Sequence, residues 1–158
     1  VRKAPQNQIS PRALKVWRLS AAIMSGILLL AAAAIFTGIY YFNFPIGIGY
    51  TLLAVWLMYA LVNIFLIPKI RHRIWRYEVH EHEIDLQFGV FIVKRVLIPM
   101  VRVQHVDTSQ GPLLRKNNLA TVTISTAATV HEIPALDIHE ADELRDSISR
   151  LARVTDDV

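Results

Sequence analysis

The side chains best suited to chemistry in this 158-residue chain are its six histidines, above all His80-Glu81-His82, with His105 and His131 in later apolar runs. Two histidines two apart on a strand share a face, which is the geometry of a ligand pair for a divalent metal. Here the pair flanks a predicted turn at Glu81-His82, and no third ligand follows at a recognised spacing. The expected reading is therefore exposed polar histidines and no metal site. Ser109, Ser125, His105 and Asp107 are the residue types of nucleophilic catalysis, but without a nucleophile elbow nothing in the sequence couples a hydroxyl to a base. Gly111 is followed by Pro112 rather than by a phosphate-cradling helix. The chain is expected to carry no catalytic residues, to bind no cofactor and not to be an enzyme. It contains no cysteine, so disulfides, thiol catalysis and sulfur-linked lipid anchors are excluded.

What remains are groups suited to contact. Gln110 to Lys116 sets Leu113 and Leu114 beside Arg115 and Lys116, a pattern that can dip into a headgroup layer or grip a partner. The competing reading makes Gly111-Pro112 a turn, returns the leucines to the core and leaves the basic pair solvated. A second cluster, Lys69, Arg71, His72, Arg73 and Arg76, reads as a topology signal and an attraction to anionic lipid of about 1 kcal/mol per Lys or Arg. Lys94 and Arg95 are adjacent on an expected strand, so only one of them can serve a given surface.

These groups need elements to position them. From Leu19 to Pro68 there is no Asp, Glu, Lys, Arg or His, although charged residues make up 19% of the chain. Leu19 to Phe42 and Ile46 to Ile67 are each long enough to cross a hydrocarbon layer about 30 Å thick. Asn43-Phe44-Pro45 between them predicts a sharp reversal and two antiparallel helices. Trp17, Tyr40, Tyr41, Phe42 and Trp75 suit interfacial belts. A cleaved signal peptide is the alternative for the first segment, but its apolar stretch is long and a second one follows at once. Arg2, Lys3, Arg12, Lys15 and Arg18 precede the first span; Lys69, Arg71, Arg73 and Arg76 follow the second. By the positive-inside rule both termini are expected on the cytoplasmic side of the plasma membrane, with the chain multi-pass. The expected division is a basic tail over 1–18, a transmembrane hairpin over 19–68, a cytoplasmic domain over 70–154 and a frayed tail over 155–158.

The sequence pI of about 9.6 does not indicate nucleic acid. From Ile70 onward eleven Lys/Arg face all thirteen Asp/Glu, so the domain carries about −2 and the surplus lies before it. A nucleic-acid-binding domain would need its own basic face.

After the second span the apolar period becomes two. Trp75, Tyr77 and Val79 alternate with polar residues, as do Ile84, Leu86 and Phe88, with Gly89 ending the second run or bulging it. Further strands are expected at 90–98, 101–106, 119–126 and 130–133, with a short extra one near Leu113 to Arg115. Ile138, Ala141, Leu144, Ile148 and Leu151 then recur at helical steps. Asp137 is the expected N-cap, Glu140 stands in the capping-box position and Pro134 separates helix from strand. Six to seven antiparallel strands and one C-terminal helix make a small, mainly-β, PH-like barrel, with an α+β sandwich as the alternative from pattern alone.

The runs Ile98-Pro99-Met100-Val101-Arg102-Val103-Gln104-His105-Val106-Asp107, Ser109 to Lys116, Leu119-Ala120-Thr121-Val122 and Ile133-Pro134-Ala135-Leu136 resemble the bacterial PH-like domain of YdbS-type membrane proteins. The resemblance extends through the hairpin. It implies two helices in a bacterial plasma membrane plus one such domain, with no catalytic residue, cofactor or ligand to carry over. It implies membrane lipids and a membrane-protein partner of the same family as contacts, with self-association also compatible. On this basis the expected role is a non-enzymatic interaction or scaffold module, with anionic-lipid or small-ligand sensing, or a part in envelope-stress resistance or assembly, as alternatives.

Overall fold

The computed structural model describes residues 2–157, which form two units: Trp17–Lys69, and a second made of residues 2–16 and 70–157. The first contains most of helix α1 (Arg12–Tyr41), helix α2 (Ile46–Leu61) and a π-helical turn (Val62–Leu66). Both apolar stretches are long enough to cross a membrane, and almost nothing in them is buried by protein, as lipid-facing helices require. The reversal is a Schellman closure. Asn43 takes a left-handed φ of 57°, the Phe44 N–H donates to Ile39 O at 3.0 Å and the Asn43 N–H to Tyr40 O at 3.3 Å. Pro45 then caps α2. Across the hairpin Trp56 Nε1 donates to Ser25 O at 2.9 Å and Phe36 meets Tyr50 edge-on. A Cβ at Gly49 would lie 2.4 Å from the Phe36 ring, so the glycine admits that ring. Thr37, Thr51 and Asn63 donate to carbonyls four residues back, which satisfies their polar groups without water.

The second helix does not stop at Ile67. Helix α3 (Ile67–Ile74) continues from the π turn through Pro68. In a regular α-helix the ring of Pro68 would strike the carbonyl four residues earlier; the π turn, in which the Ile67 N–H reaches back to Val62 O, widens the helix there.

In the second unit, the N-terminal residues expected as a basic tail begin with strand β1 (Asn7–Gln8). It pairs antiparallel with β2 (Arg76–Val79), while Pro5, Ile9 and Ala13 are buried. Strands β3 (Glu83–Phe88) and β4 (Lys94–Pro99) complete a four-stranded sheet in the order β1-β2-β3-β4. The turn at Glu81-His82 is as expected, with the His80 N–H on Glu83 O. The strand expected over 90–98 is shorter: residues 89–93 form a loop and pairing begins at Lys94. The reason is Gly89, whose φ of 133° leaves the extended region.

After a 3₁₀ turn (Met100–Arg102), strands β5 (Val103–Ser109), β6 (Leu119–Thr126) and β7 (Val130–Asp137) form a second antiparallel sheet. The strand expected near Leu113 is instead a one-turn helix, α4 (Pro112–Lys116), begun by Pro112 at N1, where its missing N–H costs nothing. Pro134 does not end β7. Ala120 and Val122 face Leu136 and Ile133, so Pro134 and Ala135 together oppose one residue; this bulge uses the absent N–H of Pro134 and a φ of 53° at Ala135.

Helix α5 (Ile138–Asp156) runs past the expected end at 154. Asp137 caps it, accepting from the His139 N–H at 3.1 Å. Glu140 does not close a capping box; it accepts the Tyr77 hydroxyl at 2.8 Å. Ala141 and Ile148 of α5 join Ile84, Leu86, Met100, Val122, Ile124, Ile133 and Leu136 in the core. Two antiparallel sheets and a C-terminal helix give the PH-like fold.

Candidate functional site

The cluster expected to touch lipid or a partner is divided among elements. Lys69, Arg71 and Arg73 are exposed on α3; Lys69 and Arg73 stand one turn apart, and Arg71 faces elsewhere. Arg76 lies on β2, where its register partners are Gln8 and Gln87. Between these cations, His72 Nε2 lies 3.1 Å from Ser10 O, which ties the end of α3 to the N-terminal segment.

On α4, Leu113 and Leu114 are half-buried and the helix packs on β6, while Arg115 and Lys116 are exposed. Asn117 Nδ2 donates to Leu113 O, and Asn118, at φ 53°, ends the turn. Arg12 donates to Asn117 O at 2.9 Å and to the carboxylate of Asp137. The N-terminal segment thus braces both the end of α4 and the start of α5. The His139 N–H, and after it the Arg12 guanidinium, hold the Asp137 carboxyl below the usual carboxylate range. Burial, then the neighbouring Glu140, pushes the Tyr77 phenol above its ordinary value.

The histidines are dispersed. His80 Nε2 is 3.8 Å from Glu78, His105 Nε2 is 3.3 Å from Asp107, and His131 Nε2 is 2.9 Å from Thr129 Oγ1. Among the described residues no three His, Asp or Glu side chains gather as a metal site. His105 and Ser125 are register partners on β5 and β6, which sets Asp107, His105 and Ser125 near one another. His105 and Asp107 are more than 60% exposed and no hydrogen bond links Ser125 to His105, so the hydroxyl lacks the contact that would activate it.

Two features were not visible in the sequence. One is a groove of about 540 Å³ lined by Leu97, Pro99, Val101, Arg102, Gln104, the Thr126 to Thr129 turn and His131. It lies where β4 and β5, the free edges of their sheets, come to their ends. The residues signalling it, exposed Leu97 and Val101, looked like ordinary strand residues because alternation does not say which face is covered. The other is a buried charge. Asp85 is 2% exposed and accepts three hydrogen bonds from Arg95, whose remaining donors reach Arg2 O and Lys3 O. Arg2 also pairs with Glu83 at 2.6 Å. Arg95 therefore organises the N-terminal segment and is not part of a basic patch with Lys94.

The family model of the bacterial PH domain matches residues 16–152. The "UPF0699 transmembrane protein YdbS" of Bacillus subtilis (strain 168) is 66% identical over 157 residues, which covers 99% of this chain and 99% of that one. No solved structure matches.

Proposed function

Because the chain belongs to the bacterial PH domain family and is a membrane protein, we propose that it acts as a non-enzymatic interaction module, anchored by its hairpin in the cell membrane with both termini cytoplasmic. The groove beside the ends of β4 and β5 carries this reading. It combines apolar side chains, among them Val101 at 60% exposure, with Arg102, His131 and unpaired strand edges. Such a surface suits an extended protein segment, which gains main-chain bonds from an edge and specificity from side-chain pockets. The partner is a membrane protein, of the same family by the resemblance. Sharing a bilayer raises the effective concentration, so a weak contact suffices.

The test is site-specific photocrosslinking in native membranes, with a photoreactive side chain at Val101 or Ala128, both of which line the groove, and a control at Glu143 on α5. A discrete membrane-protein adduct at the first two sites, absent at Glu143 and lost with Leu97→Asp, is expected. No adduct, or equal labelling at Glu143, overturns the reading.

Anionic-lipid sensing is supported by a different observation, the exposure of Arg115 and Lys116 on α4 together with Lys69, Arg71 and Arg73. In full-length protein reconstituted in nanodiscs, it requires that anionic lipid slow hydrogen exchange in α4 and that Arg115→Ala with Lys116→Ala abolish the difference. Either role is compatible with work in envelope-stress resistance or assembly.

A further inference from the structure

We propose that the loop joining β3 to β4 is a second membrane anchor, an apolar wedge whose Phe91, Ile92 and Val93 enter the bilayer interface. These three consecutive side chains are 89%, 74% and 54% exposed. A folded domain rarely leaves such a run in water without a use for it. The loop is built to present them. At Gly89 the φ of 133° lies where L side chains are strained, and an added Cβ would stand 2.0 Å from Ile92 O. The base is held by register pairing of Phe88 with Lys94 and by stacking of Trp75 on Phe88, centroids 5.9 Å apart.

Three observations select a bilayer as the occupant. The tip carries no polar side chain, so it offers shape and apolar area but no hydrogen bonds through which a protein partner would be chosen. The charges around it are of one sign: Lys94 adjoins the tip, Arg76 starts the neighbouring strand, and no Asp or Glu occurs from Leu86 to Val106. That suits an anionic headgroup layer. Finally, the tip lies at the end of the sheet where the chain enters from α3. Arg76 is paired with Gln87, and Gln87 Nε2 donates to Ile74 O at 3.5 Å. Only six residues lie between Ile67, the last residue of the second apolar stretch, and Ile74, so the loop is tethered by a short chain length to a membrane-spanning segment. One small apolar anchor is weak alone, but a second signal on a tethered domain is effective. The groove lies at the opposite end of β4, at Leu97 to Pro99, and so stays clear of a loop that inserts.

The absence of cysteine makes the test direct. Full-length Ile92→Cys carries an environment-sensitive fluorophore in vesicles of phosphatidylglycerol and phosphatidylcholine, with Glu143→Cys on the exposed face of α5 for comparison. The expected result is blue-shifted emission at position 92, protection from aqueous iodide and quenching by lipid-borne spin labels, with none of these at position 143. To exclude insertion driven by the label, the probe is moved to Val93→Cys with Phe91→Ser and Ile92→Ser, where protection should be lost. Iodide quenching at 92 equal to that at 143 overturns the proposal. So does protection that survives the double serine change, or protection without spin-label quenching, which would mean that a second copy of the chain covers the tip.

Discussion

Phe91-Ile92-Val93-Lys94-Arg95 and Leu113-Leu114-Arg115-Lys116 are written in the same way, apolar side chains followed by two cations, and each follows a glycine by two residues. They fold differently. Pro112 starts a helical turn whose leucines lean on β6 and leave only the cations in solvent. Gly89 starts a turn that no element covers, so its apolar residues are exposed; of its cations, Arg95 is drawn back onto Asp85 and Lys94 is left outside. An apolar-basic pattern therefore does not identify a contact surface. The element packed over the apolar half decides which half faces outward.

This contrast can be broken from either side. The largest effect is expected at Leu119, fully buried at the start of the strand that supports α4. Leu119→Ala should cost about 2–5 kcal/mol through the cavity it leaves, read as a lower midpoint of domain unfolding in detergent. Next is Gly89→Ala, which forces a side chain into a strained φ and against Ile92 O. A loss of about 1–3 kcal/mol is expected, with altered hydrogen exchange confined to 88–94. Leu114→Asp should cost about 1–2 kcal/mol in the same assay, because a half-buried apolar contact becomes a charge. The matching change in the other region, Phe91→Ser, should stay within about 0.5 kcal/mol, since the ring touches little protein. Equal costs at Leu114 and Phe91 would erase the distinction between the two stretches.

The smallest prediction concerns pH and the brace behind α4. The folded-state pKa of Asp137 is depressed, so its contribution is present above the unfolded-state value and is lost as pH falls through the folded-state one. Stability should thus decline on the acid side in the wild type. In Asp137→Ala that limb should be shallower, as read from unfolding midpoints across an acid pH series.

Much of this fold was legible. The apolar stretches, the Asn43 reversal, β6 over Leu119 to Thr126 and the Asp137 cap each depend on a local pattern, and a local pattern is all that a period or a cap needs. The expected contact residues were less well placed. Lys69, Arg71, Arg73 and Arg76 fall on two elements, and Leu113 and Leu114 are half-buried. The N-terminal strand was missed because two polar residues carry no strand signal; only pairing with β2 makes Asn7-Gln8 a strand. Pro134 looked like a separator of strand and helix because proline does end regular structure unless a bulge makes room for it.

By itself, the sequence determined the two apolar spans, the alternating strands and the closing amphipathic helix. Uncharged length and hydrophobic period act wherever the rest of the chain lies. The tertiary structure alone decided that the N-terminal segment belongs to the domain, that Arg95 serves Asp85, and that Phe91 rather than Leu113 stands in the open. Burial is a property of what packs against a residue, and that neighbour comes from a distant part of the chain.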